Sequence, residues 1–290
     1  MSRKTVLITG CSAGGIGAAL AHALAKRGHQ VFATARNTSK IPSTLTSLPN
    51  VTTLQLDVTS ASSVSEAAQA VAAATQDQGT RGLDVLVNNA GAGYTMPLLD
   101  ADLDDAQRLY EVNVWGALRT VQAIAALLIE KGGRVVNVSS MGGALHTPWV
   151  GIYSSSKAAL TNLSETLRLE LAPFGVSVVT LMVGLISTPF RTNQPAFILP
   201  PTSRYAAIKD TIARWASGEA GPKGCSAEEF AESVLDDVVG SGKGGQLWKG
   251  PKSGAAKFVS KWVPASMVDG LLTNQNGLDE LAKCVKKGHE

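Results

Sequence analysis

Short runs of β-branched and aliphatic residues alternate along this chain with longer Ala- and Leu-rich stretches, and this alternation restricts the fold more than any other feature. Thr5–Thr9, Gln30–Ala35 and Val51–Asp57 have strand length, whereas Ile16–Arg27 and Ala61–Gln76 carry the spacing of amphipathic helices. Further strands are predicted at Val85–Asn88, Arg134–Val138, Ser177–Val183 and Gln246–Trp248, and further helices at Leu103–Glu130 and Gly151–Pro173. Another helix follows Ser226, an N-cap whose capping-box partner is Glu229. Near-continuous apolar strands belong to a parallel sheet covered on both faces. Hydrophobic residues are 44% of the chain but aromatics only 5%, so Ala, Val, Leu and Ile must build that core. With right-handed crossovers, the pattern gives a doubly wound parallel α/β sheet with helices on both faces. No repeat or linker divides residues 1–250, which read as a single catalytic domain.

Two regions break the regularity. Residues 188–225 form a long, Pro-containing segment with Phe190, Phe197, Tyr205 and Trp215, read as a substrate loop. Residues 251–290 extend beyond the last strand. Within them Phe258, Val259, Trp262, Val263, Met267, Leu271 and Leu272 recur every three to four residues, with Lys257 and Lys261 nearby and Pro264 interrupting. That extension either packs on the domain or a sister subunit, or touches a membrane or lipid-droplet surface peripherally.

Several classes are disfavoured. A formal charge of +3 without a basic stripe argues against nucleic acid. Cys11, Cys225 and Cys284 lie far apart, with neither metal-ligand nor disulfide spacing, as expected of reduced thiols in a cytoplasmic protein. Peripheral contact with endoplasmic reticulum or lipid droplets stays open. Strand-forming residues from Lys4 leave no room for a signal peptide, and no apolar stretch reaches the roughly 20 residues of a membrane span.

Between the first strand and first helix lie Gly10, Gly15 and Gly17, where a glycine turn lets backbone approach a pyrophosphate and a helix start supplies N–H donors. Farther on, Tyr153 and Lys157 are four residues apart, on one helix face. A phenol with a free pKa of about 10 needs help to act as an acid near neutrality, and a nearby cation favours its ionised form. Ser140 and Asn113 precede this pair.

These residues carry a resemblance to the short-chain dehydrogenase/reductases from about Thr5 to Thr188. Its marks are Thr9-Gly10 with Gly15-Ile16-Gly17, Leu56-Asp57-Val58, Asn88-Asn89-Ala90-Gly91, Asn113 to Gly116, Val138-Ser139-Ser140, Tyr153 to Lys157, and Gly184 to Thr188. The resemblance implies a Rossmann-like fold, a nicotinamide cofactor and a small-molecule carbonyl substrate. It makes Tyr153 the general acid and Ser140 a donor to the reacting oxygen. Lys157 would bind the nicotinamide ribose and lower the Tyr153 pKa, and Asn113 would bend its helix and hold a proton path to Lys157. Asp57 and Val58 would meet the adenine, Asn89 and Gly91 the ribose, and Ile186 and Thr188 the carboxamide and phosphate. Ser139 is expected to be structural, and Asn88 to tie strands together.

Two departures are visible. Four residues, Cys11 to Gly14, separate Gly10 from Gly15, one more than the family's usual three, so the loop is expected to bulge near the adenine ribose. Val183 stands where a proline is usual. At the end of the second strand Ala35 replaces the acid of NAD-preferring relatives and Arg36 follows, a natural partner for a 2′-phosphate, with Ser12 as a further contact. The expected cofactor is therefore NADPH/NADP+. Tyr94, His146, Trp149 and Phe190, with Phe197, are candidate substrate contacts.

Thr9-Gly-Cys-Ser, Asn113-Val-Trp-Gly, Pro173-Phe-Gly-Val and Leu247-Trp-Lys-Gly resemble the fungal 1-acyldihydroxyacetone-phosphate reductases, a branch that also includes secondary-metabolite ketoreductases. The expectation is NADPH-dependent reduction of a ketone on a bulky apolar substrate by a homo-oligomer. A non-redox isomerase or cyclase, or an NADPH-binding scaffold, is the alternative.

Overall fold

A computed structural model of the chain describes residues 2–77, 81–221 and 223–287. The strands are β1 Thr5–Ile8, β2 Gln30–Ala35, β3 Val51–Gln55, β4 Val85–Asn88, β5 Arg134–Ser140, β6 Ser177–Val183, β7 Ile186–Ser187, β8 Cys225–Ser226 and β9 Gly245–Lys249. Seven of them form one parallel sheet in the order β3-β2-β1-β4-β5-β6-β9, and β7 pairs with β8 separately. The order reverses direction between β1 and β4, which opens a crevice at the carboxyl ends of those strands.

The strands are two-faced at period two. Val6 and Ile8 of β1, Val85 and Val87 of β4, and Val179 and Leu181 of β6 enter one core; Leu7, Leu86 and Val178 enter the other. The first core is closed by α1 (Ile16–Lys26), α2 (Ser43–Thr46) and α8 (Ala227–Val239), through Leu20, Leu24, Leu45, Phe230 and Val234. The second is closed by α3 (Ala61–Asp77), α5 (Gly116–Lys131) and α6 (Gly151–Leu171), through Val71, Ile124 and Leu128 with Leu167. The capping box at Ser226 and Glu229 is present, with the Ser226 hydroxyl accepting from the Glu229 N–H at 3.1 Å.

The expected helix over Leu103–Glu130 is interrupted. It comprises α4 (Leu103–Tyr110), a π-helical turn at Glu111–Trp115, and α5. The whole stretch Leu103–Lys131 is long and apolar enough by length and composition to cross a membrane, contrary to the expectation from sequence. Its apolar face instead covers the sheet, with Val121, Ile124 and Leu128 buried. The helix expected to end at Pro173 stops at Leu171, because Pro173 lacks the N–H that would continue it, and a 3-10 turn follows.

The long loop contains a 3-10 turn, Pro189–Asn193, and a helix α7, Lys209–Ser217. The C-terminal extension is three helices: α9 Ser253–Trp262, α10 Ala265–Gln275, and α11 Leu278–Lys287, with Pro264 separating the first two.

Candidate active site

One cleft of about 1430 Å³ runs from the glycine turn after β1 to the 3-10 turn after β7. It collects most of the residues singled out by sequence. Gly10, Ser12, Gly15 and Ile16 line one end beside Arg36, with Asp57 and Val58 adjoining. Asn89, Gly91, Ile186 and Thr188 line the middle, and Ser140, Tyr153 and Lys157 lie beyond them with Tyr94 and Phe190.

The glycine turn is shaped by close approach. A Cβ on Gly17 would stand 2.4 Å from the Asn89 amide nitrogen and 2.6 Å from the Gly10 carbonyl. That amide donates to the Thr9 and Gly10 carbonyls at 2.9 and 3.0 Å, so the Asn89 side chain is a strut under the turn. Gly17 is therefore buried beneath the cleft rather than in its wall. Gly10 has φ +75° and a Cβ there would meet Ala90 Cα at 2.9 Å. Only glycine fits such a position without strain. The extra residue of the loop is tied down: the Ala13 N–H donates to the Lys40 carbonyl at 2.9 Å, and Gly14, at φ +72°, faces the Pro189 ring. The concave backbone, the start of α1 and the cationic rim of Arg36 and Lys40 fit a dinucleotide carrying an extra phosphate. Asn37, Ser39 and Lys40, which sequence reasoning passed over, line the cleft beside Arg36.

At the other end, the sheet and α6 supply the chemistry. Alternation along β5 turns Ser139 toward the Lys157 carbonyl (3.1 Å) and the Thr161 hydroxyl (2.7 Å), leaving Ser140 for the cleft. The Ser140 hydroxyl accepts from the Gly142 N–H at 3.0 Å and lies in the cleft with the Tyr153 phenol. Desolvation pushes the Tyr153 pKa above its ordinary value, opposed by the nearby Ser140 hydroxyl and the Arg191 charge. Arg191 is thus a cation acting on the phenol that the sequence did not point to. Lys157 is buried, donates to the Val138 carbonyl at 2.9 Å, and is itself pulled down to about 8 by burial. Arg191 was not visible from sequence as a site residue. It stacks on the Trp215 ring with 5.9 Å to the centroid, and its guanidinium donates to the Trp215 carbonyl.

Asn113 lies in the π-helical turn, buried behind the cleft wall. Its amide donates to the Ala92 carbonyl and the Ser156 hydroxyl, both at 3.0 Å, and its oxygen accepts from the Ala92 N–H at 2.8 Å. A Cβ on Gly91 would lie 3.3 Å from that oxygen and 3.5 Å from Lys157 Nζ, so Asn113 and Lys157 approach the same point. Asn88 donates to the Asn137 side chain at 2.9 Å and the Ala117 carbonyl at 3.3 Å, bridging β4 to β5 and α5.

Two expected substrate contacts fall elsewhere. His146 is solvent-exposed and outside the cleft. Trp149 is 6% exposed, and its indole N–H donates to the Asn276 carbonyl at 3.1 Å, so the C-terminal extension occupies its ring. Phe190 remains, packed edge-on to Tyr153 at 5.7 Å. Tyr94 is buried, its hydroxyl accepting from the Asp102 N–H at 2.9 Å, so it presents a ring rather than a free phenol.

The sequence profile of the family described as short chain dehydrogenase matches residues 4–197. A short-chain dehydrogenase (ptmH) of Penicillium ochrochloron is 45% identical over 279 residues, 96% of this chain and 100% of its own. An NADPH-dependent 1-acyldihydroxyacetone phosphate reductase of Schizosaccharomyces pombe is 39% identical over 253 residues, 86% of this chain and 82% of its own. Among solved structures, a short chain dehydrogenase from Burkholderia cenocepacia in complex with NADP superposes with a TM-score of 0.71 at 26% identity, covering 93% of this chain and 98% of that one.

Proposed function

The chain belongs to the short-chain dehydrogenase family, and from that premise we propose that it is an NADPH-dependent reductase of a ketone borne on a bulky, largely apolar substrate. The observation that carries this reading is the convergence of Ser140, Tyr153 and Lys157 in the same cleft as the glycine turn and Arg36. Reduced nicotinamide, when bound there, supplies a hydride to the carbonyl carbon. Tyr153 delivers the proton to the carbonyl oxygen, and Ser140 donates a hydrogen bond to that oxygen as negative charge develops on it. A phenol whose pKa is raised by burial holds its proton at neutral pH, as an acid must before transfer. Lys157 holds the nicotinamide ribose and, with Asn113 next to it, returns a proton toward the phenol. Asp57 and Val58 face the adenine, and Arg36 with Ser12 takes the 2′-phosphate.

The far wall supports the substrate class. Phe190, Tyr94 and Leu109 line it, while the nearby Arg108 is already paired with Asp105 at 2.5 Å. The panel that tests the reading therefore holds bulky apolar ketones, including the acylated keto-phosphate named for the fission-yeast relative and polycyclic ketones of secondary metabolism. Loss of reduced-nicotinamide absorbance, dependent on ketone and on protein, supports the reductase. Turnover of substrate without cofactor consumption would replace it with an isomerase or cyclase. Cofactor binding without any turnover would leave a scaffold.

The outer face of α9 and α10 exposes Phe258, Trp262 and Met267 at 61%, 75% and 69%, with Lys257 and Lys261 beside them. Such a ridge suits peripheral contact with anionic lipid, which flotation with anionic liposomes tests directly. The exposed Leu103 and Trp115 on the long helix suit a homo-oligomer contact, checked by sedimentation.

A further inference from the structure

The first turn of α6 carries Tyr153; the Ser155 and Ser156 hydroxyls of the same helix hold its Ile152 and Tyr153 carbonyls, at 2.9 and 2.7 Å, but its N–H groups have no side-chain cap. Its N-cap, Val150, has no side chain able to accept the orphan N–H groups, and no side-chain cap is made. The helix begins with the Ser154 N–H donating to the Val150 carbonyl at 2.8 Å. The angle at which the chain enters this uncapped end is therefore set by the residues that feed into it, Trp149 and Val150.

Trp149 is held in an unusual way. Its φ is +71°, a left-handed conformation that a bulky side chain rarely adopts. Such a conformation persists only where surrounding contacts enforce it. Three contacts do so here. The Trp149 carbonyl accepts from the Met96 N–H at 2.7 Å. The ring packs edge-on against Tyr205 at 5.4 Å between centroids. Its indole N–H donates to the carbonyl of Asn276, 127 residues away, in the turn between α10 and α11.

That turn is itself docked. Gly277 has φ +80°, and a Cβ there would stand 2.9 Å from Thr211 Cγ2 on α7. Leu278 and Leu281 of α11 join Ile208, Ile212 and Trp149 in one apolar cluster. A continuous line of contact thus runs from the C-terminal extension through the substrate loop to the residue that sets the start of the catalytic helix.

We propose that Trp149 is a positioning residue for Tyr153, and that the C-terminal extension, through the Asn276 carbonyl and the seat of Gly277 on α7, is the brace that holds it. The extension is then part of the catalytic apparatus without touching substrate. The assignment rests on the reductase reading for its kinetic consequence alone. Its structural consequence is independent of any turnover.

The test uses full-length Trp149→Phe, which keeps an aromatic ring, though a smaller one, and removes the N–H, and Gly277→Ala, which strains and crowds the turn. Amide hydrogen exchange is followed in peptides from residues 150–157, from the glycine turn at 10–17, and from α11. Both variants are expected to exchange faster at 150–157 while residues 10–17 keep wild-type rates. With a ketone the wild type reduces, kcat should fall about tenfold or more, as misplacement of a reacting group by a fraction of an ångström allows, while the Kd for NADPH changes by a smaller factor than kcat. If Gly277→Ala loosens α11 but leaves 150–157 at wild-type rates, the brace is refuted. Wild-type exchange in Trp149→Phe, or acceleration spread equally to residues 10–17, refutes the positioning role as well. A wild-type protein that reduces no ketone overturns the reductase reading instead, and the exchange data still decide the brace.

Discussion

Replacing Asn113 with alanine should be costly for a reason that can be counted. The side chain makes three hydrogen bonds, two of them to the backbone of Ala92. Ser156 keeps a partner without it, since its hydroxyl also donates to the Tyr153 carbonyl at 2.7 Å. The Ala92 N–H and carbonyl lose theirs. Each buried group left unpaired costs about 1–3 kcal/mol, and because Ala92 is only half-buried, the lower end applies, giving roughly 2–4 kcal/mol in all. Asn113→Asp should be worse than alanine. It keeps an acceptor for the Ala92 N–H but sets a carboxylate oxygen against the Ala92 carbonyl, where a donor stood. Urea unfolding followed by both circular dichroism and tryptophan fluorescence measures the change, with coincident curves required before a free energy is quoted. A loss below about 0.5 kcal/mol for Asn113→Ala, the range of an ordinary surface substitution, would refute the reasoning. So would an aspartate variant as stable as the wild type.

Tyr153→Phe should abolish ketone reduction and leave NADPH affinity unchanged, because it removes the proton donor and no cofactor contact; retention of most of kcat in steady-state assays would exclude Tyr153 as the acid. Arg36→Ala should erase the preference for NADPH over NADH, read as the ratio of kcat/KM for the two cofactors. An unchanged ratio would assign the 2′-phosphate to Lys40 and its neighbours instead. The Lys157 pKa, lowered by burial to about 8 from 10.5, has a stability consequence of definite sign. The folded chain binds this proton less tightly than the unfolded one, so the cost is complete below about pH 8 and fades as pH rises toward the unfolded value. Urea midpoints of the wild type should therefore climb relative to Lys157→Met between those two pH values, and parallel curves would contradict the shift.

The strands and the main helices were readable because each strand of the sheet serves two cores at period two, and each flanking helix covers one of them. Ser140 was distinguishable from Ser139 only through the resemblance, by its spacing from Tyr153; the alternation of β5 gives the physical reason, turning Ser139 toward α6. The π-helical turn was not readable from periodicity, although the resemblance implied a bend at Asn113. Glu111–Trp115 continues a helical pattern, and the departure comes from bonds between Asn113 and residues 21 and 43 positions away. Trp149 misled for a related reason: an aromatic residue just before the catalytic helix looks like a cleft wall, but its hydrogen-bond partner lies at Asn276. Arg191 escaped notice because its closeness to Tyr153 depends on how the substrate loop folds onto Trp215.

The extra residue in the glycine turn bears on how such a protein can be redesigned. Ala13 is bonded to the loop that carries Arg36 and Lys40, and Gly14 abuts Pro189 at the head of the substrate loop. Cofactor preference and substrate choice, which a protein engineer would treat as separate modules, therefore meet at two small residues. Grafting an NAD-type strand end into this chain will also move the substrate loop unless the turn is shortened with it. Any substrate-loop graft lacking a ring at position 189 will, in turn, loosen the cofactor's anchorage.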